Sequence, residues 1–170
     1  MAVSLCEGRL TFHFPDDACV SQYDNWAFYR NQFNACFGGT KSIDFVYVEG
    51  DVTWLIEVKD YRAHRRTKAI ELGDEVAIKV RDTLAGLAAA QCNANDQEEK
   101  RQARLALRKN RFNVVLHLEQ PEKQSKLFPR AVDPANVTIK LKQTLRAVDA
   151  HPKIVNQHNL KPNMRWTVTG

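Results

Sequence analysis

The chain has 170 residues, of which 44% are hydrophobic and 26% are charged, and its formal net charge is +5. This length suits one domain with an ordinary hydrophobic core, and no apolar run approaches the roughly 20 residues that cross a bilayer. The four cysteines lie far apart and form no CxxC pair, which argues against a zinc knuckle and a disulfide framework. With no signal sequence at the start, these features predict a soluble, cytoplasmic protein that is not bound to a membrane.

The charge is distributed unevenly along the chain. Residues 1–60 hold 4 Lys/Arg and 9 Asp/Glu, net −5, whereas residues 61–170 hold 21 and 11, net +10. Such a division suits an acidic pocket that holds a metal ion beside a basic surface that binds a polyanion. The alternative is an ordinary basic protein without a polyanionic partner.

The first predicted elements are a strand and an aromatic helix. The sequence RLTFHFP, residues 9–15, alternates apolar and polar positions, which is typical of a strand. From about Ala18 to Phe37, aromatic residues recur at spacings of three and four, which predicts a helix that ends at two glycines. This aromatic stripe either packs on a sheet, as buried aromatics usually do, or stacks against a ligand. It consists of Trp26, Tyr29, Phe33 and Phe37.

A charged hairpin follows, and after it the chain alternates between helices and strands. Helices are predicted at residues 73–90 and 93–111, a strand at 112–121, a helix that begins at Asp133-Pro134, and a last strand at 165–169. The order is roughly β-α-β-β-α-α-β-α-β. We therefore predict one α/β domain over residues 1–170, with a mixed β-sheet flanked by helices.

The hairpin has the sequence SIDFVYVEGDVTWLIEVKDYR, residues 42–62, and its two apolar strands are joined at a Gly-Asp pair. A two-residue type II′ turn at this pair would place Glu49 opposite Val52. Counting back along both strands then places Asp44 opposite Glu57, with the two side chains on the same face of the sheet.

The same face carries a third charge. Because side chains alternate along a strand, Glu57 and Lys59 lie on the same side, so two carboxylates and one ammonium group meet at one place. Two carboxylates at this separation repel each other unless a cation lies between them. A divalent cation with oxygen ligands would meet that requirement, and Mg²⁺ typically uses one or two carboxylates with water and phosphate oxygens.

Asp44, a turn, and then Glu57-Val58-Lys59 resemble the signature of the PD-(D/E)XK, or restriction-endonuclease-like, nuclease superfamily. The resemblance implies a restriction-endonuclease-like αβββαβ core and a metal-dependent nuclease that hydrolyses phosphodiester bonds with a metal-activated water. The substrate would be DNA rather than RNA, cut as an endo- or exodeoxyribonuclease. Asp44, Glu57 and Lys59 would be catalytic. Mg²⁺ or Mn²⁺ would be bound by Asp44, Glu57 and the backbone carbonyl of Val58, with Asp24 on the preceding helix as a further candidate.

A substrate backbone beside these carboxylates would need cations to hold it. The loop after the motif supplies one set, and the second predicted helix supplies a stripe that is otherwise a solvated helix face. The first set is Arg62, Arg65, Arg66 and Lys68, and the second is Lys100, Arg104, Arg108 and Arg111.

Two alternatives remain open at this point. In one, the fold is catalytically inactive and serves as a nucleic-acid-binding or protein-interaction module, with the three hairpin charges forming only an ion cluster. In the other, a small α/β protein uses these charges to protect an exposed sheet edge. Many nucleases of this class form homodimers, but no sequence pattern marks a partner face. The sequence contains no GxSxG, P-loop or GxGxxG motif.

Overall fold

The computed structural model describes residues 3–122 and 132–170. Within these residues the chain forms eight β-strands and three α-helices. The strands are β1 (Val3–Glu7), β2 (Leu10–Phe14), β3 (Cys19–Gln22), β4 (Phe45–Glu49), β5 (Val52–Asp60), β6 (Arg111–Glu119), β7 (Lys153–Val155) and β8 (Thr167–Thr169). The helices are α1 (Leu72–Asn93), α2 (Gln97–Leu107) and α3 (Pro134–Thr144).

The strands form two sheets. One has the order β1-β2-β8 and is antiparallel, and the other has the order β3-β4-β5-β6-β7. In the larger sheet β5-β6 and β6-β7 are parallel and the other neighbours are antiparallel. Parallel neighbours need a crossover connection, and α1 with α2 supplies the one between β5 and β6. The prediction of a single α/β domain with a mixed sheet and flanking helices is therefore confirmed.

The larger sheet has a different partner on each face. Trp54 and Ile56 of β5 point into a core shared with the three-stranded sheet, whereas Leu55 points into a core shared with the helices. Trp166 lies in the first core, with its ring centroid 5.2 Å from that of Trp54 and 5.8 Å from that of Tyr47. The alternation along β5 therefore places Glu57 on the helix side of the sheet.

Acidic residues cap α2 and α3; α3 begins where the sequence predicts, whereas α2 begins at Gln97 and not at the predicted residue 93, because α1 extends to Asn93. The side chain of Asp96 accepts hydrogen bonds from the backbone N–H groups of Glu98 and Glu99, at 2.8 and 3.0 Å. Asp133 caps α3 in the same way and is followed by proline at the first helical turn. These caps satisfy N–H groups that have no partner within the helix.

The prediction of one helix from Ala18 to Phe37 is wrong. The segment holds the strand β3 and three short helical turns, Tyr23–Asn25, Tyr29–Phe33 and Cys36–Gly38. Aromatic spacings of three and four fit short turns as well as a continuous helix, and pairing with β4 holds the first part of the segment extended. No continuous α-helix precedes the hairpin among the described residues, so the expected αβββαβ core is not confirmed.

The aromatic residues of this segment also differ from one another. Trp26 and Phe33 are buried, in agreement with a packing role, and Tyr29 is half-buried. Phe37 is 89% exposed. The strands β1, β3 and β7 were not predicted, because short strands offer too few positions for an alternation to be seen. None of the described helices combines the length and the apolar character that a membrane crossing requires.

Gly86 provides a test of the packing between α1 and the turn region. A Cβ atom at Gly86 would collide with the hydroxyl oxygen of the buried Tyr23 and would stand 3.1 Å from its Cζ atom. Alanine normally stabilises a helix by about 1 kcal/mol relative to glycine, but overpacking costs about 1–3 kcal/mol. We therefore expect Gly86→Ala to lower the free energy of unfolding, measured by urea denaturation followed by circular dichroism.

The neighbouring exposed Ala85 on the same helix serves as the control. Ala85→Ser should change the free energy of unfolding by less than about 0.5 kcal/mol. A Gly86→Ala variant more stable than the wild type would show that Tyr23 does not pack closely against the helix.

Candidate functional site

The hairpin register agrees with the sequence prediction. Glu49 pairs with Val52, and the antiparallel ladder runs back from this pair towards Asp44 and Glu57. The Asp44 carboxylate accepts a hydrogen bond from the backbone N–H of Val58 at 2.6 Å. Asp44 is 7% exposed and Glu57 is 0% exposed, so both carboxylates lie in the interior.

Two lysines bind one oxygen of Glu57. The Oε1 atom lies 2.7 Å from Nζ of Lys59 and 2.5 Å from Nζ of Lys79. The other oxygen, Oε2, is buried and has no hydrogen-bond partner among the described residues. Lys79 comes from α1; the sequence marks it as a possible cation for a substrate backbone, but its contact with Glu57 depends on the packing of α1 against β5. The third predicted charge, Lys59, forms an ion pair with Glu57, and the charge of Asp44 contributes to its raised pKa.

A second acid, Glu75 of α1, extends this ion network. It binds Arg66 and Lys68 at 2.5 Å each, and its carboxylate lies 3.5 Å from Nζ of Lys59. Burial opposes ionisation of Glu75, but hydrogen bonds from Lys68 and Arg66 outweigh it and lower the pKa to about 2. Burial also opposes protonation of Lys59, yet Glu57 and Glu75 raise its pKa above the ordinary value. Glu75 is therefore held ionised and Lys59 is held protonated.

An acidic pocket lies on the other side of Asp44. One carboxylate oxygen from each of Glu7, Asp24 and Asp44 lies within 4.8 Å of the others. Burial raises the pKa of all three, and neighbouring carboxylates raise it further. For Asp44 burial and the charge of Glu57 bring the pKa to about 8. The three acids repel one another, and the pocket favours a bound proton or cation.

The residues of this pocket suit a hard divalent cation. Its donors are carboxylate oxygens, which Mg²⁺ and Mn²⁺ prefer, and one buried oxygen of Asp24 has no partner among the described residues. Asp24 was a sequence candidate and lies in the pocket. Glu7 was missed, because it ends a strand that the sequence did not reveal. Val58 contacts Asp44 through its N–H, and a role for its carbonyl stays a prediction.

The loop cations predicted to hold phosphates are mostly engaged within the protein. Arg62 donates to Asp60 at 2.8–3.0 Å and to the carbonyl of Gly170 at 2.9 Å. Arg66 is held by Glu75 and by other groups, and Lys68 also binds Glu75. Arg65 is exposed. This loop thus packs its cations onto carboxylates, and its role in binding a ligand stays a prediction.

The α2 cationic face is different. We use this name for Lys100 and Arg104 of α2 together with Arg108 and Arg111, which follow the end of the helix. The predicted stripe on one helix is therefore wrong beyond Leu107, because Arg108 caps α2 and Arg111 begins β6. Lys100 is half-buried and the three arginines are exposed. Arg104 donates to the carbonyl of Gln91 at 3.2 Å, which leaves its charge uncompensated. Within the described ranges no carboxylate forms an ion pair with any residue of this face.

Comparison with known proteins gives one informative relative. Cysteine–tRNA ligase of Neisseria meningitidis serogroup A is 35% identical over 164 residues, which cover 79% of this chain and 24% of that protein. The chain thus spans about a quarter of the length of this relative. No model of a known protein family matches the chain, and no solved structure matches it.

This relative overturns the resemblance to the PD-(D/E)XK nuclease superfamily. The nuclease motif covered only residues 43–59, whereas the similarity to the ligase extends over most of the chain. The prediction of a metal-dependent DNA nuclease is therefore wrong, and the inactive nuclease-like module does not fit better. The residue pattern failed as evidence because an acid and a lysine two positions apart at a strand end also form the closed ion pair seen between Glu57 and Lys59.

The raised pKa of Asp44 predicts how stability depends on pH. The pKa rises from 3.8 to about 8, so the folded chain keeps a proton that the unfolded chain loses above pH 4. The contribution of this proton to the free energy of unfolding is complete below about pH 4 and is lost as the pH approaches 8. We expect Asp44→Asn, which stays neutral, to exceed the wild type in free energy of unfolding at pH 8 by roughly 2–5 kcal/mol.

Urea denaturation at pH 5 and pH 8 with a chelator measures this difference. Glu98→Gln is the control, because hydrogen bonds from Arg101 and Gln102 lower the pKa of Glu98 to about 2, outside this range. If the wild type and Asp44→Asn lose the same stability between the two pH values, Asp44 is not the protonated group.

Proposed function

We propose that this chain is a tRNA-binding domain, with a function related to that of the matching segment of cysteine–tRNA ligase. The observation that carries the proposal is the 35% identity over 79% of the chain. The name of that relative says that it acts on tRNA. Because the chain spans about a quarter of the relative, the proposal concerns recognition of tRNA and not the complete ligation reaction.

The charge distribution supports an RNA partner. The chain carries a net charge of +5, and the α2 cationic face presents three exposed arginines without carboxylate partners in the described ranges. Phosphate oxygens accept hydrogen bonds from guanidinium groups in a fork geometry, and each neutralised phosphate releases counterions from the RNA. This face therefore offers the sequence-independent part of RNA binding.

The tRNA proposal is tested by replacing two arginines of this face. Arg104→Gln with Arg108→Gln should weaken binding of tRNA and lower the slope of log K against log salt by about 0.7–0.9 for each phosphate that is no longer neutralised. Fluorescence anisotropy with labelled tRNA at several salt concentrations measures both quantities.

A second double variant removes the same charge from paired arginines. Arg81 is bound to Asp82, and Arg165 is bound to Glu49, so these arginines already have compensated charges. Arg81→Gln with Arg165→Gln should leave the salt slope close to that of the wild type. Absence of tRNA binding by the wild-type chain would overturn the proposed function, and equal effects of the two double variants would remove the α2 cationic face from it.

We propose in addition that the acidic pocket binds Mg²⁺ or Mn²⁺. The carboxylates of Glu7, Asp24 and Asp44 supply hard oxygen ligands, and Oε2 of Glu57 is a further buried oxygen without a partner in the described residues. A bound cation would remove the repulsion among the acids and offer open positions to phosphate oxygens of RNA. This supports the same function, since the pocket would otherwise repel a polyanion.

Calorimetric titration with MnCl₂ alone tests this site. We expect saturable binding by the wild type. Asp44→Asn should lower the Mn²⁺ affinity by at least roughly 10- to 100-fold, the loss that is typical when a residue outside the ligand shell is replaced. Glu98→Gln removes an exposed carboxylate elsewhere and should bind Mn²⁺ like the wild type. Equal affinity of the wild type and Asp44→Asn would show that the cation binds somewhere else.

A further inference from the structure

Phe37 combines exposure with an unfavourable backbone conformation. Its side chain is 89% exposed, and its φ and ψ angles are 56° and 29°. It has the one positive φ among the described residues other than glycine. Bulky side chains rarely adopt this left-handed region, whereas asparagine and glycine tolerate it. The backbone conformation therefore disfavours phenylalanine at this position.

The loop around Phe37 is held by several hydrogen bonds. The N–H of Gly39 donates to the carbonyl of Cys36 at 2.9 Å, and the N–H of Thr40 donates to the carbonyl of Asn34 at 2.8 Å. The hydroxyl of Thr40 donates to the carbonyl of Phe33 at 2.9 Å. These bonds fix the backbone in which Phe37 is strained, and strain of this kind is concentrated at functional positions.

One side of the Phe37 ring is supported and the rest faces solvent. The ring meets Phe33 edge to face, with centroids 6.2 Å apart and an interplanar angle of 73°. Phe33 is itself buried against the core below it. The loop therefore presents an aromatic ring on a firm base.

Polar residues flank the loop of Phe37 in the sequence. Asn34 and Lys41 are exposed near it in the chain, and the other large exposed apolar side chains among the described residues, Ile70 and Ile139, lie on separate segments. A protein-docking surface normally presents a contiguous apolar patch. A single exposed ring among polar and basic groups instead resembles the platforms on which unpaired nucleobases stack.

The segment that carries Phe37 is also joined to α2. Glu99 of α2 accepts hydrogen bonds from the backbone N–H groups of Ala27 and Phe28, at 2.6 and 3.0 Å. The aromatic segment and the helix with the α2 cationic face are thus neighbours in the fold.

We infer that Phe37 is a stacking platform for an unpaired base of RNA. This inference rests on the proposed tRNA-binding function and adds the contact that recognises a single-stranded nucleotide. Stacking is insensitive to base identity, since every base has a π face. Phe37 therefore selects unpaired over paired nucleotides and does not read the sequence.

Phe37→Asn tests the inference because it separates binding from folding. Asparagine tolerates the left-handed backbone, so the variant should have a melting temperature equal to or higher than that of the wild type. Removal of the stacking ring should weaken tRNA binding about 5-fold or more. The salt slope should stay unchanged, because stacking releases no counterions. Phe37→Trp should retain binding.

Ile139→Asn is the matched control, since it also replaces an exposed apolar side chain by asparagine. Anisotropy with labelled tRNA and with a single-stranded oligoribonucleotide containing 2-aminopurine, whose fluorescence reports stacking, measures the effect. Wild-type affinity in Phe37→Asn would overturn the stacking role while leaving the proposed function intact. No binding by the wild type would overturn the proposed function itself.

Discussion

The ion pairs of Glu57 are the constraint on which the arrangement of this site depends. A carboxylate that is 0% exposed, near the end of an apolar strand, is strongly unfavourable unless cations meet it. Lys59 comes from the same strand, but Lys79 comes from α1 and binds the same oxygen. The helix must therefore lie where it can reach the strand end, and the charges that interrupt the apolar pattern of the hairpin fix the position of α1 over β5.

The acidic pocket is the counterpart of this network and draws on other parts of the fold. Its acids come from β1, from the turn after β3, and from the residue before β4. The side-chain amide of Gln22 on β3 donates to the carbonyl of Cys6 on β1 at 2.8 Å, which links the two sheets beside the pocket. The fold thus brings together acids that repel one another. A bound cation would reduce this repulsion.

The parts of the structure that the sequence predicted depend on local rules. The hairpin register follows from the turn and the alternation of side chains, so the meeting of Asp44 and Glu57 was predictable. The start of α3 follows from its acidic cap and the proline after it. The contact of Lys79 with Glu57 and the presence of Glu7 in the acidic pocket were not predictable, because the first depends on helix-to-sheet packing and the second on a strand of the other sheet. No local pattern records such contacts.

The aromatic segment shows where local rules mislead. Spacings of three and four predicted one helix, but these spacings are shared by single turns, and the pairing of β3 with β4 competes with helix formation. In the folded chain Trp26 and Phe33 of the aromatic stripe are buried, whereas Phe37 is exposed. Phe33 completes the core, while Phe37 lies beyond it in a backbone conformation that phenylalanine disfavours. A regular helix would have hidden this difference. The departure from the predicted structure is therefore the feature that singles out Phe37, whose exposed ring lies on a loop held by backbone hydrogen bonds.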